Sequence, residues 1–170
     1  MNERKEKGNR PDRAGSATAE LVSFCLDDRR FAVPLSSVEQ VERVVSITPL
    51  PRAPDIIPGV INIHGRIVPV FNIRERFRLP PRDIQLSDQL IVASTSKRTI
   101  ALLVDSVIDV IEIPKDKIVA SGDVLPQLDF VEGVVKTEDG MILIHDLERF
   151  LSLHEEKALD EAMKELKEDG

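Results

Sequence analysis

The chain has 170 residues, 42% of them hydrophobic and 4% aromatic, with no Trp or Tyr and a net charge of −7. That allows one compact domain, or two small fused ones, around an aliphatic and β-branched core that favours strands. An acidic body without Tyr or Trp for base stacking argues against nucleic acid as a partner. No apolar run nears the roughly 20 residues of a bilayer span and no signal peptide opens the chain, so no direct membrane insertion is expected. The single cysteine, Cys25, rules out an internal disulfide and fits a reducing, cytoplasmic location.

Residues 1–18 carry charge, Gly, Asn and Ser without apolar periodicity and read as a disordered tail. From Leu21 to Leu26 a strand pattern begins. A polar turn at Asp27–Arg30 leads to a second strand, Phe31–Leu35. Ser36 and Glu39 have the spacing of a capping box, which predicts a short helix starting there. Pro49, Pro51, Pro54 and Pro58 stiffen a loop, after which strands Val60–Ile63 and Ile67–Phe71 are joined through His64-Gly65. Asn72 can cap a helical turn holding Arg74, Glu75 and Phe77, stopped by Pro80-Pro81. At the far end Leu159, Ala162, Met163 and Leu166 follow helical spacing, and residues 153–170 read as an amphipathic helix docked on its own body.

The pattern occurs twice. Phe31–Val38 matches Ile100–Val107 at an offset of 69, and Gly59-Val60 matches Gly133-Val134 at an offset of 74. Ile67–Ile73 then aligns with Met141–Leu147, giving Asn72 and Asp146 one role. The change of offset places about five extra residues between Val110 and Gly133. The repeat predicts two similar barrel halves, about 19–86 and 87–152, each too small to bury enough surface alone and therefore sharing a core.

Catalytic chemistry is missing from the pattern. His64, His145 and His154 have no second ligand at metal spacing, so neither a metal nor another cofactor is expected. Cys25 lies in a predicted strand without a nearby His, and Asp105 falls on the cap position that Ser36 holds in the other half. Gly59, Gly65, Gly133 and Gly140 sit at strand ends or turns rather than in a phosphate loop. No catalytic residue is assigned.

Residues Pro54–Ile73, with Phe31-Ala32-Val33, Leu103–Val107 and Gly133-Val134-Val135, resemble the CheW-like chemotaxis coupling proteins. The resemblance covers about residues 20–152. It implies two SH3-like five-stranded β-barrels packed together, which with the patterns above makes a mainly β fold with short helices and a C-terminal helix. It also implies a non-enzymatic, cytoplasmic adaptor whose partners are the cytoplasmic tip of a methyl-accepting chemoreceptor and the regulatory domain of a histidine kinase. Carried over position by position, Val38, Gln40, the loop Asn62-Ile63-His64-Gly65, Leu90 and Val110 would face a partner, in an apolar groove suited to a helical hairpin.

Two positions depart from the family pattern, which has Arg where this chain has His64 and Glu where it has Gln40. The expectation is that these two face each other as a neutral pair. Arg66, Arg74, Arg76, Arg78 and Arg82, opposed only by Glu75, make residues 64–82 locally +4, a patch that could meet an acidic partner. Two other readings stay open: an adaptor for a non-chemotaxis receptor–kinase pathway, and a small ligand-binding barrel or hydrolase. An enzyme needs a pocket with convergent polar groups, whereas an adaptor needs exposed apolar surface.

Overall fold

A computed structural model describes residues 17–120, 130–138 and 140–168; the expected N-terminal tail lies outside the described residues up to residue 16. The strands are β1 (Thr18–Leu26), β2 (Arg29–Pro34), β3 (Val38–Arg43), β4 (Gly59–Ile63), β5 (Arg66–Asn72), β6 (Gln89–Ser94), β7 (Thr99–Val104), β8 (Ser106–Pro114), β9 (Ile118–Ala120), β10 (Val131–Thr137) and β11 (Gly140–His145). The helix α1 (Leu153–Glu168) closes the order of the described elements.

The strands form two sheets, one in the order β3-β6-β7-β5-β4 and the other β8-β1-β2-β11-β10-β9. Each curls into a barrel. In the first, Val44 N–H donates to the Asp88 carbonyl at 3.0 Å, and Thr48 exchanges backbone bonds of 2.9 and 2.8 Å with Val60. The segment after β3 thereby crosses to β4. Gly59 allows that crossing, because a Cβ there would lie 2.2 Å from the Thr48 carbonyl oxygen. In the second barrel a 3-10 turn at Lys115–Lys117 carries β8 into the short sixth strand β9.

The barrels do not coincide with the two sequence halves, contrary to the simplest reading of the repeat. β6 and β7 of the second half complete the first barrel, and β1 and β2 of the first half complete the second. The equivalence itself is kept in detail. Parallel pairing of Val70 with Ala101 has its counterpart in Ile144 with Ala32, and Val41 with Ile91 has its counterpart in Val110 with Val22. Asn72 N–H donates to the Ile56 carbonyl and Asp146 N–H to that of Phe130, both at 2.8 Å. Each half must therefore fold with the other, which suits halves too small to close a core alone.

Burial explains the near-continuous apolar strands. In β6, Leu90 and Val92 fill the first barrel while Ile91 and Ala93 face a cluster between the barrels; in β7, Ala101 and Leu103 face in while Ile100, Leu102 and Val104 face the shared cluster. Successive side chains point to opposite faces, so a strand buried on both sides loses its polar alternation. Leu21, Ala32, Val135, Ile142 and Ile144 fill the second barrel. All 6 Phe of the chain lie in or against the shared cluster, with Phe31 and Phe77 rings 4.4 Å apart and Phe71 meeting Phe150 edge-on at 5.0 Å. The shared core expected from the repeat is thus its largest and its aromatic part.

One expected helix is not formed. Ser36 lies in a single 3-10 turn, Leu35–Ser37, and the chain then runs as strand β3 against β6. Val38, Val41, Val44 and Val45 restrict χ1 in a helix, and the open edge of β6 offers their backbone a ladder, so pairing overrides the cap signal. The turn after Asn72 is also 3-10, Glu75–Phe77, and ends at left-handed Arg78 (φ 56°) before the prolines.

Candidate partner-binding surface

The candidate residues divide by depth. Asn62, His64 and Gly65 are exposed at the tip of the β4–β5 hairpin, where His64 (φ 49°) and Gly65 (φ 86°) form a two-residue turn with both φ values positive. Asn62 Oδ1 accepts the Gly65 N–H at 2.8 Å and fixes the tip. Val110, 55% exposed, lies on β8, the end strand of the second sheet. Val38 and Gln40 are half-buried on β3. Leu90 and Ile63 are corrections. At 0% and 3% exposure they are interior packing of the first barrel and cannot touch a partner directly. Seven of the eight candidates belong to the first barrel and Val110 alone to the second.

Gln40 and His64 do not pair. Gln40 Nε2 donates to Glu42 Oε1 at 2.5 Å on its own strand. The ion pair of this region is displaced by one residue on β3: Arg66 Nη2 donates to Glu39 Oε2 at 2.8 Å, and Ser94 Oγ donates to Glu39 Oε1 at 2.6 Å. Arg66 first and Ser94 second hold the Glu39 carboxyl below its ordinary pKa. Glu39 is the bulge residue of β3, the extra position between Val38 and Gln40, and that irregularity aims it outward.

The basic stretch 64–82 is largely neutralised within the chain. Arg66 meets Glu39, Arg76 meets Glu155, and Arg74 and Arg82 enter a network that linear inspection of the sequence missed. Buried Arg74 bonds Asp27, and Asp105 at 3.1 Å; Arg82 bonds Asp105, and buried Asp88 at 2.7 Å. Hydrogen bonds to Asp88 and Asp105 raise the Arg82 pKa. Asp105 also accepts the Asp27 N–H, so it clamps the β1–β2 turn to the β7–β8 corner. That supports a structural reading of Asp105. Of the five arginines only Arg78 has no ion pair among the described residues, so a free cationic patch is not what the fold presents.

The apolar surface includes residues the sequence did not single out. Val41 is 39% exposed on β3 and Ile108 44% exposed on β8. Val41 is the repeat counterpart of Val110, a relation that could have been read from the offset of 69. A depression of about 790 Å³ at one mouth of the second barrel is lined by Glu20, Leu35, Ser36, Lys115, Ile118 and Glu132 among others, with no His or Cys among the described residues that line it. Among the described residues no three His, Cys, Asp or Glu side chains could hold a metal ion. No helix among them is long and apolar enough to cross a membrane.

Two SH3-like barrels fused through one core, presenting apolar strand surface and a rigid hairpin tip, define a scaffold that works through contact. The chain belongs to the CheW-like family: the family's domain matches residues 20–155. The probable chemotaxis protein CheW of Rhizobium etli is 28% identical over 141 residues, 82% of this chain and 91% of that protein. Chemotaxis protein CheW of Thermotoga maritima is 30% identical over 132 residues, 78% of this chain and 87% of that one. The crystal structure of scaffolding protein TtCheW from Thermoanaerobacter tengcongensis superposes with a TM-score of 0.72 at 32% identity, covering 78% of this chain and 91% of that one. The chain is a non-enzymatic chemotaxis coupling adaptor.

Proposed function

We propose that this adaptor binds two partners at once in the cytoplasm, the cytoplasmic tip of a methyl-accepting chemoreceptor and the regulatory domain of a histidine kinase, and is held through the first at receptor arrays. The observation that carries this reading is the apolar surface on the outer strands of both barrels. Val110 and Ile108 on β8 and Val41 on β3 are left in water on the outer faces of their strands. Exposed aliphatic strand surface on a protein whose family couples others is best explained by partners that cover it. Val38, Gln40 and the Asn62–Gly65 tip lie on the receptor side, with Leu90 and Ile63 shaping it from beneath. Calorimetry of the full chain against the regulatory domain of the co-encoded kinase tests the reading. A 1:1 complex with Kd at or below tens of micromolar, roughly −6 kcal/mol or stronger, is expected. Absence of heat and of co-elution at that concentration would refute it.

A further inference from the structure

The two barrels differ at one mouth. Residues related by the offset of 69 are buried in the first barrel and only half-buried in the second: Asp88 against Ala19, Leu103 against Pro34, and Val104 against Leu35. In the first barrel Arg82 spans this end, bonding Asp88 at 2.7 Å just before β6 and Asp105 just after β7. Asp88 also accepts the Gln85 N–H at 2.8 Å, so the chain ahead of β6 is folded back onto the strand it enters. In the second barrel Ala19 and Ser36 hold the places of Asp88 and Asp105, and both line the depression of about 790 Å³. Leu35 and Ile118 are half-buried in its wall, and its charged groups among the described residues are Glu20, Glu132 and Lys115.

The repeat continues into the chain ahead of β1. Pro80-Pro81-Arg82 is matched at the same offset by Pro11-Asp12-Arg13, so a proline and an arginine precede Ala19 at the spacing at which they precede Asp88. The Ala17 carbonyl accepts the Lys115 N–H at 2.9 Å, which starts this segment at the rim of the mouth. Four residues back from Ala17 a chain reaches at most about 14 Å, the width of about three strands, so Arg13 has Glu20 and Glu132 within range. Charge favours the encounter. Residues 1–16 hold five Lys/Arg against three Asp/Glu, and the mouth has two carboxylates against one ammonium among the described residues that line it.

We propose that residues 11–16 of the chain itself close the mouth of the second barrel, with Arg13 bound by Glu20 and Glu132 in the role that Arg82 plays at the first. The segment covers the half-buried Leu35 and Ile118 and withdraws the mouth from apolar ligands. Recognition of partners is then left to the outer strand faces and the β4–β5 tip. The closure does not depend on which partners bind there.

The test uses the full chain. In a Cys25→Ser background, Ala14→Cys with Glu132→Cys should form an intramolecular disulfide at least about tenfold faster than Ala14→Cys with Met141→Cys. Met141 is the control because it is 53% exposed on the same barrel, away from the lining of the mouth. Hydrogen exchange reads the same contact without cysteines. Arg13→Glu should speed exchange of the Ile118–Ala120 amides about fivefold while β6 and β7 stay unchanged, and Arg13→Glu/Glu132→Arg should restore their protection. Nile red, a neutral apolar dye, should bind the Arg13→Glu chain and not the wild type. Equal trapping at positions 132 and 141, or exchange in β9 indifferent to Arg13, would overturn the proposal. So would a wild-type chain that binds Nile red as well as the variant does, which would assign the mouth to a ligand instead.

Discussion

At the bulge of β3 the first barrel presents Glu39, which takes Arg66 at 2.8 Å; at the same bulge of β8 the second barrel presents Ile108, 44% exposed and unpaired by charge. Two residues further, Val41 and Val110 both face solvent, the second more so at 55% against 39%. Inside, Phe71 of β5 answers to His145 of β11, a ring of similar shape with two buried nitrogens that have no hydrogen-bond partner among the described residues. Strand order, register and bulge are common to the two barrels because they follow from alternation of buried side chains. The outward positions are under no such constraint, and they are where one barrel carries charge and the other apolar surface.

The comparison can be broken most severely at what the barrels share. Phe31 is fully buried, stacks on Phe24 and meets Phe77 at a tilt. Phe31→Ala should cost about 3–5 kcal/mol. Because each barrel contains strands of both halves, the loss should appear as one cooperative transition in denaturant rather than as unfolding of one barrel. Separate transitions would show that the core is less shared than its packing indicates.

Next comes the inward difference. Burial alone pushes the His145 pKa down from 6.5 to about 3. Between those values the unfolded chain takes up a proton that the folded one refuses. The neutral imidazole therefore costs no stability above about pH 6.5, and stability falls with pH through the window below it, by about 1.4 kcal/mol per unit. At pH 5 that is about 2 kcal/mol. His145→Phe, which copies the first barrel, should remove this acid sensitivity. Urea melts of both proteins at pH 5 and pH 8 check it.

An outward change should touch binding and not folding. Val110→Arg places a charge on exposed apolar surface. It should weaken partner binding by about tenfold or more, about 1.4 kcal/mol, with melting temperature nearly unchanged. The same substitution at Val41 should weaken it less if β8 is the more important of the two strands. Titration calorimetry of both variants ranks them.

The smallest effect concerns Gln40 and His64. Since Gln40 bonds Glu42 and His64 stands at an exposed turn, a double-mutant cycle with Gln40→Glu and His64→Arg should give a coupling below about 0.3 kcal/mol in partner binding. A larger value would restore the idea that these two positions act together.

These contrasts also show what the sequence could reveal. The hairpin at His64-Gly65, the strands β1, β2, β4 and β5 and the docked C-terminal helix were legible because each rests on local chemistry: positive φ, period two, period 3.6. The repeat gave the equivalence of Asn72 and Asp146, whose Oδ1 atoms accept the N–H of Arg74 and Glu148 respectively. Strand exchange between halves was hidden, since a repeat says which segments are alike and nothing about which lie side by side. Ser36 misled because a capping box is local and the pairing of β3 with β6 is not. Leu90 reads as a contact because its position matches the family's groove, and only burial distinguishes a floor from a surface. The clamp of Arg74, Asp105 and Arg82 joins residues up to 31 positions apart and had no linear signature.

The measurement closest to the central claim is reconstitution. Receptor-bearing vesicles and the histidine kinase are sedimented together with and without the full chain. The account predicts that kinase moves to the pellet only when the chain is present, in stoichiometry with it, and that Val110→Arg reduces the amount. Kinase that sediments equally without the chain, or a chain that remains in the supernatant while kinase binds receptor, would contradict it.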